Sequence, residues 1–456
     1  MYPRRRGEDM KKILIANRGE IASRIIQTCE AMGIKTVAVY SDADVNMPFV
    51  QQANEAYRIG EAQVNQSYLK MDAIIEVAKK TDVDAIHPGY GLLSENSSFA
   101  KKVKEAGIQF IGPSPETIEQ MGDKVKARAM MKAAGVPVVP GSDQAVANVE
   151  EAIRLANQIG FPVMLKASGG GGGIGMVRCE NEQALDQHFM ATKNRAKAYF
   201  GSTDVFLEKC IDNARHVEVQ IFGDESGQVV HLFERNCSVQ RRNQKVIEEA
   251  VSPHLSNETQ EAMYEAAIKG AKAVSYKNAG TMEFSVDEQE KFYFLEMNTR
   301  LQVEHPVTEA ITGIDLVNWQ ILVAQGKTLP LTQSDIKRNG HAIECRIYAE
   351  DPNTFYPSPG TISTLQWGES DHVRIDSGYM TESTVTPFYD PMIAKVIIFA
   401  ENRDTCIAET EKFLETTRIE GIKTNIPYLL KIINTQSFQA GNYTTNIISQ
   451  YDKVEK

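Results

Sequence analysis

Thr281-Met-Glu-Phe-Ser-Val286 and Phe292-Tyr-Phe-Leu-Glu-Met297, separated by the polar stretch Asp287 to Lys291, read as the two strands of a hairpin. Symmetric closure at Gln289-Glu290 sets Glu283 directly opposite Glu296, and a four-residue loop with the same centre gives the same register. Met282, Phe284 and Val286 then meet Met297, Leu295 and Tyr293 on an apolar face. Like charges directly opposite one another destabilise a sheet, and a divalent cation between them removes that penalty. Asn298 points the same way and adds an oxygen. Two carboxylates, an amide and substrate phosphates are a usual way to hold magnesium. Two solvated glutamates on an exposed face satisfy the same register.

Continued at a period of two, the chain places Glu296, Asn298, Arg300, Gln302 and Glu304 on one face, with Met297, Thr299, Leu301 and Val303 on the other. That pattern suits a site wall or a surface strand. Arg300 has the forked shape that matches a planar oxyanion such as bicarbonate, and Glu304 is a candidate base to deprotonate it. Gln240-Arg-Arg-Asn-Gln-Lys245 offers further cations, or a solvated basic turn ahead of Glu248-Glu249.

Upstream, the strand Phe161-Pro-Val-Met-Leu-Lys166 runs into Ala167-Ser168 and five glycines, Gly169 to Gly173, then Ile174, Gly175 and Met176. Such a run forms neither helix nor strand. Its bare backbone offers N–H donors to phosphate, and Lys166 adds an ammonium; a flexible linker is the plain alternative. No G-K-[ST] follows, so this is not a Walker loop.

The N-terminal end predicts a parallel sheet. Lys12 to Ala16 and Lys35 to Tyr40 read as strands, Ile21 to Met32 as the helix between them, closed by Gly33. Asp84 to His87 adds a strand ending in Pro88-Gly-Tyr-Gly91, and the G-x-G-x-x-G fingerprint is absent after the first strand, which disfavours a nicotinamide-binding domain. Gly135 to Gly141 reads as a hinge. The 456 residues call for two or three packed domains. A net charge of -11 argues against nucleic-acid and membrane partners, no run is long and apolar enough to span a bilayer, and six irregularly spaced cysteines read as reduced thiols.

Seven segments carry a family resemblance: Ile15-Ala-Asn-Arg-Gly-Glu-Ile-Ala22, His87-Pro-Gly-Tyr-Gly-Leu-Leu-Ser-Glu-Asn96, Met121-Gly-Asp-Lys124, the loop from Lys166, Gln240 to Lys245, Glu296-Met-Asn-Thr-Arg-Leu-Gln-Val-Glu-His-Pro306 and His341-Ala-Ile-Glu-Cys-Arg346. In this order they resemble biotin carboxylase, along nearly the whole chain. The resemblance implies an α/β ATP-grasp fold. It has a Rossmann-like N-terminal domain at 10–123, an ATP-grasp domain at 124–339 with a mobile lid at roughly 139–213, and a C-terminal domain at 340–450. Residues 1–9 read as a flexible extension. By resemblance, Lys124, Lys166, Gly171, Gly172, Met176, Glu208, Lys209, His216, Gln240, Asn243, Glu283 and Glu296 contact ATP. Glu283, Glu296 and Asn298 hold magnesium or manganese, and Lys245, Arg300, Gln302 and Val303 hold bicarbonate. Glu304 is the base, and Arg346 and Tyr90 meet biotin. Attack of bicarbonate on the γ-phosphate gives carboxyphosphate, whose carbon dioxide carboxylates biotin.

No A-M-K-M turn is present to carry biotin, and no carboxyltransferase-sized region remains. The expectation is therefore a cytoplasmic homodimer served by a separate biotin carboxyl carrier protein and carboxyltransferase subunits. Acetyl-CoA carboxylase is the expected host, with propionyl-CoA, pyruvate or urea carboxylases as alternatives. Another ATP-grasp ligase would share the hairpin and lid lysine without Arg300 to Glu304 and Arg346; a regulatory subunit without turnover would rest on two departures. These are Asn243, where the pattern has a histidine, and Ile174, where it has a basic residue. Ile174→Lys is expected to lower the Michaelis constant for ATP in steady-state kinetics.

Overall fold

The computed structural model describes residues 9–142, 144–167 and 175–454; Gly171, Gly172 and Ile174 lie outside them, as do the first eight residues. The N-terminal strands form a parallel sheet as expected. β1 (Lys12–Ile15) pairs with β2 (Lys35–Ser41) and with β4 (Ala85–His87), while β3 (Glu55–Gly60) and β5 (Gln109–Phe110) complete the order β3-β2-β1-β4-β5. The helix Gly19–Ala31 buries Ile21, Ile25 and Cys29. It ends at Gly33, whose φ of +70° only glycine adopts at low cost. Asn17, just past β1, donates from Nδ2 to the carbonyls of Pro88 (2.6 Å) and Tyr90 (2.8 Å), which pins the loop after β4. A side chain on Gly89 would collide with that amide.

The Gly135 to Gly141 segment is built into the structure on both sides. Val138 bridges Phe294, Gly141 bridges Glu208, and Val136 and Val139 are buried. Beyond it, β6 (Val163–Ala167), β7 (Met176–Cys179) and β8 (Val205–Lys209) make a small antiparallel sheet in the order β7-β6-β8. The helices Val149–Ile159 and Glu182–Phe200 cover it, and Val163, Leu165 and Leu207 pack with Ala152, Ala156 and Phe189 in a core of their own.

The centre of the molecule is an eight-stranded antiparallel sheet. Its strands are β9 (Arg215–Gly223), β10 (Val229–Arg241), β11 (Gln244–Ala250), β12 (Asn278–Val286), β13 (Phe292–Asn298) and β14 (His341–Tyr348), with two from the last segment. That segment supplies β15 (Gly360–Thr361), β16 (Thr364–Gln366), β17 (Val373–Ser377), β18 (Thr384–Val385), β19 (Met392–Ala400) and β20 (Arg418–Glu420). The order β13-β12-β9-β10-β11-β14-β19-β17 makes the sheet continuous across residue 340, because β14 pairs with β11.

The hairpin of β12 and β13 differs from its sequence reading in an instructive way. Glu283 does face Glu296, and Met282 faces Met297. The loop, however, has five residues, Asp287 to Lys291, with Glu290 in the left-handed region at φ +60°. A bulge at Leu295 restores the register, so Phe284 faces Phe294 and Val286 faces Phe292, in place of Leu295 and Tyr293. Leu295 turns toward a cavity instead of the core. Met282, Phe284, Phe294 and Met297 pack on Met263, Ala267 and Ala271 of the helix Asn257–Ala273. Phe284→Ala is expected to cost about 3–5 kcal/mol, read as a lower midpoint in chemical denaturation.

Candidate active site

Side chains from both sheets converge on a cavity of about 560 Å³. The small sheet contributes Lys166, Met176 and Glu208. The large sheet contributes His216, Gln240, Asn243, Lys245, Glu283, Glu296 and Asn298; Lys124 comes from the helix Lys124–Ala133. Arg300, Gln302, Val303, Arg346 and Tyr90 close one end.

Among the expected nucleotide contacts within the described residues, Lys209 turns its side chain away from the cavity. Neighbouring residues of a strand point to opposite faces, so with Glu208 in the cavity Lys209 faces away, its Nζ donating to the carbonyls of Gly160 (2.8 Å) and Phe161 (2.9 Å). The basic stretch from Gln240 is the hairpin turn between β10 and β11: Arg241 pairs with Gln244, and Arg242 and Asn243 both have positive φ. Asparagine tolerates that conformation, so Asn243 is compatible with its turn. Lys245 points inward.

The deepest part is a set of alternating buried charges. Lys245 Nζ lies 2.6 Å from Glu304 Oε1, 2.7 Å from Glu218 Oε2 and 3.1 Å from Glu283 Oε1. Arg235, 0% exposed, donates to Glu218 at 2.6 Å and to Gln220 at 2.8 Å. Arg346 Nη2 lies 2.5 Å from Glu248 and 3.0 Å from Glu304 Oε2. Burial alone would push the carboxyl of Glu304 up, but Lys245, Arg346 and Arg235 outweigh it and hold the group well below the usual carboxylate value. Glu283 is likewise held low against burial by Lys245 and His216, whose Nε2 is 3.0 Å away. Burial, reinforced by the charge of Glu304, raises Glu248 to about 7 in spite of Arg346. Glu218 and Arg235 escaped the sequence reading, and Glu248 entered it only as a neighbour of the basic turn, because their pairings join strands whose neighbourhood no local pattern reveals.

The polar period of two breaks after Asn298, where β13 ends and the chain bends before the helix His305–Thr312. The five polar side chains still converge. Arg300 is aimed by Glu95 Oε2 (2.7 Å), Asn298 Oδ1 (3.0 Å) and Gln302 Oε1 (3.1 Å). Val303 is held through its carbonyl, 3.0 Å from Nζ of the fully buried Lys395, which also pairs with Glu20 at 3.2 Å.

Glu283 and Glu296 open on the cavity, and carboxylate oxygens suit a hard divalent cation; Asn298 lies beside them, its Nδ2 donating to Glu283 (2.9 Å) and its Oδ1 accepting from Arg300 (3.0 Å). Lys245 and Lys124 (3.1 Å from Glu296) neutralise the two carboxylates. Glu218 also lies close to Cys237 and Glu304, but there the Lys245 ammonium already balances the carboxylates. A second cavity of about 480 Å³ shares Tyr90, Gly91, Gln244, Val303 and Arg346 with the first and leads out past Tyr389 and Phe388. All six cysteines are buried free thiols, and no helix among the described residues is long and apolar enough to cross a membrane.

A lysine-bearing small sheet facing paired carboxylates on a large antiparallel sheet defines an ATP-grasp ligase. Residues 123–332 match the family described as carbamoyl-phosphate synthase L chain, ATP binding domain. Residues 9–118 match the biotin carboxylase N-terminal domain, and 344–450 the biotin carboxylase C-terminal domain. The chain is 57% identical to biotin carboxylase 2 of Bacillus subtilis over 440 residues, covering 96% of this chain and 99% of that protein. It superposes with a TM-score of 0.95 at 47% identity on a Campylobacter jejuni biotin carboxylase in complex with β,γ-ATP, covering 97% and 99% of the two chains. The dimeric biotin carboxylase domain of Hydrogenobacter thermophilus 2-oxoglutarate carboxylase, solved with MgADP, ADP and bicarbonate, gives 0.94 at 46% identity, covering 98% and 99%.

The chain belongs to the biotin carboxylase family. It is an ATP-dependent carbon–nitrogen ligase that carboxylates biotin. Since Lys245 keeps Glu304 ionised, Lys245→Met is expected to let burial dominate and raise the carboxyl. The acidic limb of a kcat/KM profile for residual activity should then move up by about 1–3 pH units.

Proposed function

We propose that Glu304 is the base that takes the proton of bicarbonate, and that Lys245, Arg300, Gln302 and Val303 hold the anion beside it. The observation that carries this reading is the position of Glu304: fully buried, held ionised, and clasped between Lys245 at 2.6 Å and Arg346 at 3.0 Å, next to Val303 and Arg346, which line both cavities. ATP occupies the larger cavity among Lys124, Lys166, Met176, Glu208, His216, Gln240, Asn243, Glu283 and Glu296. Mg2+ accompanies the nucleotide, held by Glu283, Glu296 and Asn298, and supplies charge neutralisation to the phosphates when bound. Manganese satisfies the same oxygen donors.

Deprotonated bicarbonate attacks the γ-phosphorus in line, the bond to ADP breaks, and carboxyphosphate forms. Its breakdown gives carbon dioxide and phosphate. The phosphate takes the ureido proton of biotin, Arg346 stabilises the enolate oxygen, and the ureido nitrogen attacks carbon dioxide to give carboxybiotin. The chain's own contribution is positioning and preorganised charge. Biotin enters through the second cavity between Tyr90 and Arg346. In this reading residues 10–123, 124–339 and 340–450 act together, with 139–213 closing over the nucleotide.

The proposed setting is a cytoplasmic homodimer receiving biotin on a separate carrier protein and passing carboxybiotin to carboxyltransferase subunits, with acetyl-CoA carboxylase as host. The dimeric state of the 2-oxoglutarate carboxylase domain supports the homodimer. Purified protein with Mg-ATP and bicarbonate is expected to release ADP faster when free biotin is added. Glu304→Ala should lower that biotin-stimulated rate by about 100-fold or more, while an unchanged rate would remove Glu304 from its role.

A further inference from the structure

One cation in the nucleotide cavity has no hydrogen-bond or ion-pair partner among the described residues. Arg128 follows Lys124 by one turn of the helix Lys124–Ala133, on the same face, and both line the cavity. Arg128 is 8% exposed, and its Nε and Nη1 are buried without a hydrogen-bond partner. The other cations there are committed: Lys124 to Glu296 at 3.1 Å, Lys166 to Glu208, Lys245 to three carboxylates, Arg300 to Glu95 at 2.7 Å, and Arg346 to Glu248 and Glu304.

A guanidinium does not escape burial by losing its proton, and an unpaired buried charge is strongly unfavourable. The arrangement therefore calls for an anion, and the reaction brings one in as the triphosphate of ATP. We propose that Arg128 is a nucleotide-binding residue whose guanidinium takes a phosphate oxygen of ATP. The inference rests on the reading of this cavity as the nucleotide site. Phosphate, rather than base or ribose, follows from two facts. Lys124, on the same helix face, is bound to a carboxylate of the metal–phosphate end, and a planar fork of donors matches adjacent phosphate oxygens.

Calorimetric titration of the full-length protein with Mg-ATP and with adenosine tests this on the wild type, Arg128→Met and Arg128→Lys. Arg128→Met is expected to weaken Mg-ATP by about tenfold or more and adenosine by less than roughly twofold, while Arg128→Lys keeps Mg-ATP within about threefold. Without ligand, the melting temperature of Arg128→Met should match or exceed the wild type, since an unpaired buried charge is gone. Should Arg128→Met not fold, Arg128→Gln decides by the same criteria. Unchanged Mg-ATP affinity would overturn the inference, as would parallel losses for ATP and adenosine, which mark a packing role only. Wild-type protein that bound no Mg-ATP would overturn the reading of the cavity itself.

Discussion

Three carboxylates, Glu218, Glu283 and Glu304, converge within 3.1 Å of one ammonium, that of Lys245. Charges taken out of water must be paired and hydrogen-bonded, and this pairing helps hold the carboxyls of Glu283 and Glu304 low against burial. Arg235, paired with Glu218, and Arg346, paired with Glu304, complete the alternation. This arrangement exists before any substrate arrives: an ionised Glu304, an aimed Arg300 fork and two facing carboxylates. Preorganised charge of this kind costs no reorganisation during the reaction.

The same cluster explains why no single segment builds the site. Lys245 lies on β11 and Arg346 on β14, adjacent strands of one sheet although 101 residues apart in sequence. The N-terminal segment reaches in through Glu95, which orients Arg300, and through Asn17, which fixes the loop carrying Tyr90. The last segment returns through Lys395, which holds the carbonyl of Val303 next to Glu304 and pairs with Glu20 of the first helix. Loosening any of the three segments displaces a side chain or carbonyl that lines the cavity.

The hairpin shows how a sequence argument succeeds and fails together. Alternation finds the Glu283–Glu296 pair because the strand period of two is a property of the backbone. It misassigns the apolar partners because the odd loop and the bulge at Leu295 cancel, and neither leaves a local mark. The polar run from Glu296 to Glu304 is legible as one set, yet its members meet through a bend and not through a continuous strand. The resemblance places Lys209 in a motif, while strand parity decides which way its side chain points, here onto the carbonyls of Gly160 and Phe161. The turn at Arg242-Asn243 carries a left-handed backbone that its composition permits but does not announce.

The sequence by itself determined the parallel N-terminal sheet, the paired carboxylates, the lysine ahead of the glycine run and, through ordered motifs, the family. These are local or strictly periodic features, written in spacing. Only the tertiary structure decided that Glu304 is fully buried and still ionised, that burial pushes the carboxyl of Glu248 up to about 7, and that Arg128 lines the cavity without a partner among the described residues. The reason is physical: a charge responds to whatever lies within a few ångströms and to the water excluded around it. For Glu304 those neighbours come from 59 and 42 residues away.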